Sequence, residues 1–196
     1  MNDFSVLDLI VQAETLVVGI DGKRGAGKTN FAVYLVKNLQ EMTQRNVYAN
    51  IHLKKIKYKT FTKEMLKTLP SELDNSIILI DELHVWGDSY KFLSKQSEEL
   101  TLLFTQLRKR NIILIHTTQQ FEGQIAIRLR RNTDYLLHCT NTKRNYPVYY
   151  NHGITCLVTV SEINDLDGEP YSPFTGFAFK GKEYWKYYNT KEIVLS

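Results

Sequence analysis

The chain has 196 residues, 43% of them hydrophobic and 23% charged, with a formal net charge of +4. This length supports one α/β domain with appendages and leaves little room for a second, and the composition excludes a disordered chain. The longest apolar runs, such as Ile77-Ile78-Leu79-Ile80, are strand-sized and fall short of the roughly 18 to 20 residues that a membrane-crossing helix needs.

The first residues carry Asp3 and Asp8 where a secretory leader needs positive charge, so the protein is expected to stay in the cytoplasm of the cell that makes it. Phe4, Leu7, Ile10 and Val11 then have helical spacing without a strong cap, which fits a short helix or an edge strand. The apolar run Leu16-Val17-Val18-Gly19-Ile20 reads as a strand. It leads directly into Gly22-Lys23-Arg24-Gly25-Ala26-Gly27-Lys28-Thr29, a full match to G-x-x-x-x-G-K-[ST], and Asn30 opens a helical pattern running to about residue 44.

Strand, glycine loop and helix together form the context that a phosphate-binding loop requires. Glycines let successive N–H groups point inward at phosphate oxygens, and the helix adds the positive end of its dipole. Residues 22 to 30 are therefore the expected nucleotide cradle, with Lys28 reaching the β- and γ-phosphates and Thr29 holding Mg2+.

Residues 46–53 read as a second strand. A lysine-rich stretch follows, and then a short helix from Thr62 that Pro70 stops. Residues 76–81 form a continuous aliphatic run, the pattern of a strand buried on both faces of a parallel sheet. It ends in Asp81 and Glu82. Ligands of open α/β sheets collect at the carboxyl ends of strands, which places Asp81 beside Mg2+ and Glu82 where it can accept a proton from attacking water. Residues 86–92 read as a loop or lid, and His84 as a structural or coupling residue outside the catalytic set.

Residues 96–110 return to helical periodicity, and residues 112–118 form another buried strand ending Thr117-Thr118-Gln119-Gln120. A polar amide at that tip can orient water or sense the γ-phosphate, and Gln119 is favoured over Gln120 because it lies closer to the strand end. A helix is expected over residues 121–131 and a strand over 133–140. Beyond Lys143 the alternation of Tyr, Val and Thr with Pro147, Gly153, Pro170, Pro173 and Gly176 as breakers predicts hairpins at one sheet edge. Cys139 and Cys156 lack metal-ligand spacing and read as buried thiols whose pairing is open.

The order of phosphate loop, Asp81-Glu82 after a strand, and Arg108-Lys109-Arg110-Asn111-Ile112-Ile113-Leu114-Ile115-His116-Thr117-Thr118-Gln119 resembles the FtsK/HerA superfamily of DNA-translocating ATPases. The likeness continues through Ile127-Arg128-Leu129-Arg130-Arg131-Asn132 and the Tyr187-Tyr188-Asn189-Thr190-Lys191-Glu192 ending. Within that superfamily the short form resembles viral genome-packaging ATPases of archaeal icosahedral viruses with internal membranes.

The resemblance implies an α/β P-loop NTPase fold, a mostly parallel sheet flanked by helices with a C-terminal antiparallel β extension. The expected divisions are a lead segment (1–14), an ATPase core (15–140) and a β-rich extension (141–196). It further implies ATP and Mg2+, double-stranded DNA, a homo-hexameric ring, a capsid or portal-vertex protein as partner, and host cytoplasm or the virion as location. In such a ring a neighbour supplies an arginine finger, for which Arg108, Arg128, Arg130 and Arg131 are candidates.

Two other likenesses remain open. Asn46-Val47-Tyr48-Ala49-Asn50-Ile51 resembles the zonula occludens toxin family, which assembles filamentous phage, so a filament-assembly or DNA-export ATPase is an alternative. Lys23 makes the loop similar to that of the ParA/MinD partition and division-site ATPases, dimeric ATP-gated switches in which an extra lysine acts across the dimer. Those proteins carry Gly where this chain has Arg24, and they lack the Asp-Glu pair.

Overall fold

The computed structural model describes residues 6–86 and 102–189. Eight strands form one sheet in the order β3-β2-β4-β5-β1-β6-β7-β8: β1 Leu16–Asp21, β2 Asn46–Ala49, β3 Lys59–Thr60, β4 Ser76–Ile80, β5 Ile113–Thr117, β6 Tyr135–Asn141, β7 Cys156–Glu162 and β8 Thr175–Phe179. From β3 to β6 every pairing is parallel, and β7 and β8 add antiparallel strands at the far edge. The expected fold class is the one observed.

Strand alternation builds the two layers of the core. Ile77 and Leu79 of β4 and Ile113 and Ile115 of β5 point into the layer formed with Val33, Val36 and Leu39 of helix α2, Lys28–Thr43. Their neighbours Ile78, Ile80 and Leu114 point into the opposite layer, with Tyr48, Phe61, Trp86 and Phe121. Strands covered on both faces in this way have no solvent side to supply, which is why they read as unbroken aliphatic runs. The lead segment resolves as a helix, α1, Val6–Gln12, burying Val6 and Ile10.

His116 is fully buried on β5. It has aromatic contacts with Phe104 and Phe121, and neither ring nitrogen has a hydrogen-bond partner among the described residues. Desolvation lowers its pKa from 6.5 to about 3. The folded pKa lies below the unfolded one, so this group contributes stability in full above pH 6.5 and loses it as pH falls toward 3. His116→Phe is expected to flatten that acid limb, as read by Tm measured across pH 3 to 7.

Several local expectations are corrected. The helix expected over residues 121–131 is two short helices, Phe121–Gln124 and Ile127–Arg130, separated by extended Ile125 at φ −102° and ψ 127°. Pro147 does not break structure; it takes the first turn of a short helix, Pro147–Asn151, where its missing N–H costs nothing. Trp86 belongs to no lid, being 1% exposed at the end of helix Leu83–Trp86 and stacked on Phe61 at 5.6 Å. Residues 87–92 of the expected lid, and residues 96–101 of the expected helix, lie outside the described residues. The edge hairpin foreseen after Lys143 is β7 and β8.

Candidate functional site

Strand order positions the site. Because β5 lies between β1 and β4, the phosphate loop after β1, the carboxylates after β4 and the Thr117–Gln120 tip of β5 emerge at the same end of the sheet. Gly22 has φ 136°, and a Cβ there would stand 2.3 Å from the Cys139 carbonyl oxygen. Only glycine fits between the loop and β6. Gly27, with φ 96°, caps α2 in the left-handed region and turns the chain into the helix.

At the base of the loop Lys28 is 6% exposed, and its Nζ donates to the carbonyls of Gly22 at 2.9 Å and Lys23 at 3.4 Å. The ammonium is thereby held inside the curl of the loop. The Thr29 hydroxyl donates to the Asp81 carboxylate at 3.0 Å. A hydroxyl and a carboxylate at that separation are hard oxygen donors of the type Mg2+ takes, and the pair fits that ion.

Asp81 is 6% exposed. Burial raises its pKa, opposed by hydrogen bonds from Thr117 and Thr29, and the neighbouring Glu82 charge adds to the rise. Two side chains fix its place. Asn50, fully buried after β2, donates its amide to the Asp81 carbonyl at 3.0 Å and accepts the Asp81 N–H at 2.7 Å. Thr117 donates its hydroxyl to Asp81 Oδ1 at 2.7 Å and accepts the Glu82 N–H at 2.9 Å. Thr117 thus aligns both acidic residues from the adjacent strand.

Glu82 adopts φ 54°, the left-handed region, which costs an L-residue roughly 1–2 kcal/mol. The bend turns its carboxylate out of the strand direction. Its Oε2 lies 3.3 Å from His84 Nε2 and 3.5 Å from Gln119 Nε2. His84 therefore touches the carboxylate expected to act as base.

Gln119 is held by its own loop. Gln124 Oε1 accepts from the Thr118 hydroxyl at 2.9 Å and from the N–H groups of Gln119 and Gln120, each at 3.1 Å. Gln120 is exposed. Of the two glutamines, Gln119 is the one whose side chain approaches Glu82.

A cavity of about 500 Å3 opens over the loop, walled by Lys28, Thr29, Glu82, Tyr150, Trp185 and Tyr188 among others. Tyr188 is pushed up to about 12, by burial first and by the Asp81 charge second, so it stands as a neutral phenol near the carboxylates. Lys23 and Arg24 are exposed on the loop.

The four candidate arginines do not line this cavity. Arg108 and Arg131 border a separate one of about 640 Å3 at the starts of β1 and β6, the opposite end of the sheet. There Asp134 accepts the Val17 N–H at 2.7 Å. Arg130 is 9% exposed, ion-paired to Glu169 and donating to the Gly168 carbonyl at 3.3 Å. Arg128 shares the short helix with Arg130.

Sequence reasoning left Asn50, Gln124 and Tyr188 without a role in the site. Asn50 contributes through a strand neighbour 31 residues away, and Tyr188 through the C-terminal segment, pairings that no local pattern announces. Gln124 carried no such signal either, since the side chains that ordinarily bond nearby backbone are Ser, Thr, Asn and Asp.

The profile of the ATPase family associated with various cellular activities (AAA) matches residues 18–139, the stretch that holds the phosphate loop, Asp81, Glu82 and Gln119. The chain belongs to this AAA ATPase family. Among solved structures it is similar to the N-terminal domain of zonular occludens toxin from Neisseria meningitidis, with 19% identity, a TM-score of 0.59, and coverage of 89% of this chain and 99% of that one. It is also similar to the genome packaging NTPase B204 of Sulfolobus turreted icosahedral virus 2, with 10% identity, a TM-score of 0.55, and coverage of 81% and 97%. A KaiC-like protein from the hyperthermophilic archaeon Pyrococcus horikoshii matches at 16% identity with a TM-score of 0.54, over 85% of each chain. At these identities the likenesses establish the P-loop NTPase fold. No curated protein sequence matches the chain.

Proposed function

We propose that this AAA ATPase is a motor of the FtsK/HerA type that moves double-stranded DNA, packaging a viral genome into a preformed capsid as a homo-hexamer. The observation that carries the hydrolytic part is the convergence of Glu82 and Gln119 at 3.5 Å, at the end of the sheet where the phosphate loop opens. A carboxylate that can take a proton, beside an amide that can orient water, suits transfer of a phosphoryl group to water rather than to a second substrate.

In this reading residues 22–30 cradle the phosphates, and Lys28 exchanges its carbonyl partners for phosphate oxygens. Glu82 takes the proton of the attacking water, and Gln119 aligns that water and reports the loss of the γ-phosphate. Mg2+, held through Thr29 and Asp81, would neutralise charge on the β- and γ-oxygens. Charge growing on the transferred group calls for an arginine from a neighbouring subunit. Arg108, Arg128, Arg130 and Arg131 are the candidates, of which Arg130 would first have to leave Glu169. DNA contact would be electrostatic and indifferent to sequence. Support for packaging comes from the residues that resemble the superfamily and from the likeness to the B204 fold.

The likeness to the zonular occludens toxin domain, which spans 99% of that chain, favours filament assembly or DNA export as the second reading. Exposed Lys23 is the residue on which a ParA/MinD-like dimeric switch would depend. Mass measurement with a non-hydrolysable ATP analogue separates the classes. A hexamer is the expected result, and a stable two-subunit complex would replace the motor with the switch.

A further inference from the structure

The cavity over the phosphate loop extends past Thr29 to an aromatic wall whose origin is the C-terminal part of the chain. After β8 the chain enters a 3-10 turn series, Gly181–Tyr187, that returns to α2. It is tied down along its length. The Asn30 amide donates to the Gly181 carbonyl at 2.7 Å, and the Gly181 N–H donates to the Thr155 hydroxyl at 2.9 Å. Tyr184 meets Tyr34 of α2 edge-on at 5.0 Å, and the Lys54 N–H donates to the Tyr187 carbonyl at 2.6 Å. A segment held this way presents Trp185 at a fixed place by the first turn of α2, and the residue is 46% exposed. Tyr150, from helix Pro147–Asn151, lines the same cavity, and Lys182 and Lys143 sit 4.8 and 5.7 Å from its ring centroid.

We infer that Trp185 and Tyr150 form the nucleobase subsite of this NTPase, and that it takes nucleoside triphosphates by stacking with little choice among bases. The inference rests on the phosphate loop being the triphosphate site. A triphosphate that runs from Glu82 across Lys28 and Thr29 places the base end of its nucleotide toward this aromatic wall. A large exposed indole lowers the free energy of a base by covering its π-face, which every base has. Edge recognition needs spare hydrogen-bonding groups held in place; two of the fixed polar side chains here, Asn141 and Thr155, are engaged, and the unpartnered Asn30 Oδ1 is itself buried. The Asn141 amide donates to the Gly25 carbonyl and its oxygen accepts the Arg144 N–H. The Thr155 hydroxyl accepts from Gly181 and donates to the Phe179 carbonyl at 3.3 Å. With the Trp185 ring exposed and Asn141 and Thr155 engaged, the site should discriminate mainly by stacking area, so purines should exceed pyrimidines modestly.

The test compares full-length wild type with Trp185→Ala and Trp185→Phe, using ATP, GTP, CTP and inorganic tripolyphosphate. Expected for Trp185→Ala is a rise in KM for ATP and GTP of roughly 5- to 150-fold, the range of base–aromatic stacking, with kcat little changed and tripolyphosphate competing as it does in wild type. Trp185→Phe should restore most of the affinity. In wild type, ATP and GTP should differ by less than about tenfold in KM, and nucleotide should quench Trp185 fluorescence while tripolyphosphate does not. Unchanged KM in Trp185→Ala, or strict selection of one base, would overturn the subsite while leaving the phosphate loop reading intact. Wild type that binds neither ATP nor tripolyphosphate would overturn both.

Discussion

Replacing Glu82 with glutamine is expected to lower kcat for ATP hydrolysis by about 10²- to 10⁴-fold, the usual contribution of a general base, with ATP affinity close to wild type. Glutamine keeps the size of the side chain and the left-handed backbone at φ 54°, and it keeps the N–H that Thr117 accepts at 2.9 Å. What it removes is the proton acceptor next to Gln119. Single-turnover hydrolysis together with equilibrium ATP binding measures the two effects separately. Full activity in this variant would remove Glu82 from the chemistry.

The second large effect is expected at Asn50. Asn50→Ala leaves the buried N–H and C=O of Asp81 without their partners, and each buried backbone group so orphaned costs roughly 1–3 kcal/mol. The sum, about 2–6 kcal/mol, corresponds to a fall in Tm of roughly 4–24 °C for a chain of this size. Catalysis should fall further than stability alone accounts for. In the proposed reading Asp81 and Thr29 would hold Mg2+ together, and the Asp81 backbone sets where Glu82 begins to turn. Calorimetry on the apo protein, followed by Mg2+-dependent hydrolysis at a temperature where the variant is folded, checks both parts. An unchanged Tm would mean that the Asn50 clamp contributes nothing net.

These two positions also divide what was legible in the sequence from what was not. Glu82 announces itself because an aliphatic strand that ends in acids is a contiguous signal, and the phosphate loop is another. The parallel core was legible for the same reason: two-sided burial leaves continuous apolar runs at β1, β4 and β5. Asn50 was visible only as part of a string similar to another family. Its function depends on β2 lying beside β4 in the sheet, a tertiary fact that residue spacing does not encode. Thr117 reads in the sequence only as the polar end of a buried strand, and the insertion of β5 between β1 and β4 is what gives its hydroxyl two acidic neighbours to align.

The misreadings have the same origin. Apolar residues interleaved with arginines over 121–131 suggested one helix, yet Ile125 and Ala126 are buried in an extended link between two short ones, so packing divided the segment. Pro147 and the Tyr-rich tail suggested strands and breaks. Part of that tail instead folds back on α2 through Tyr184 and Tyr187, and it brings Trp185 and Tyr188 to the cavity wall. Of the arginines flanking β5, Arg108 and Arg131 lie at the opposite end of the sheet from the phosphate loop, and Arg130 is held in an ion pair. Within one chain these three are therefore not positioned to reach the phosphate loop.

Coupling of hydrolysis at Glu82 to movement along duplex DNA is read by the steady-state ATPase rate with and without long double-stranded DNA. The prediction is a rate that rises with duplex length and falls as salt screens the phosphate contacts, and that Glu82→Gln abolishes. A wild-type rate indifferent to DNA of any length, at low salt and at protein concentrations where the assembly is complete, would contradict it.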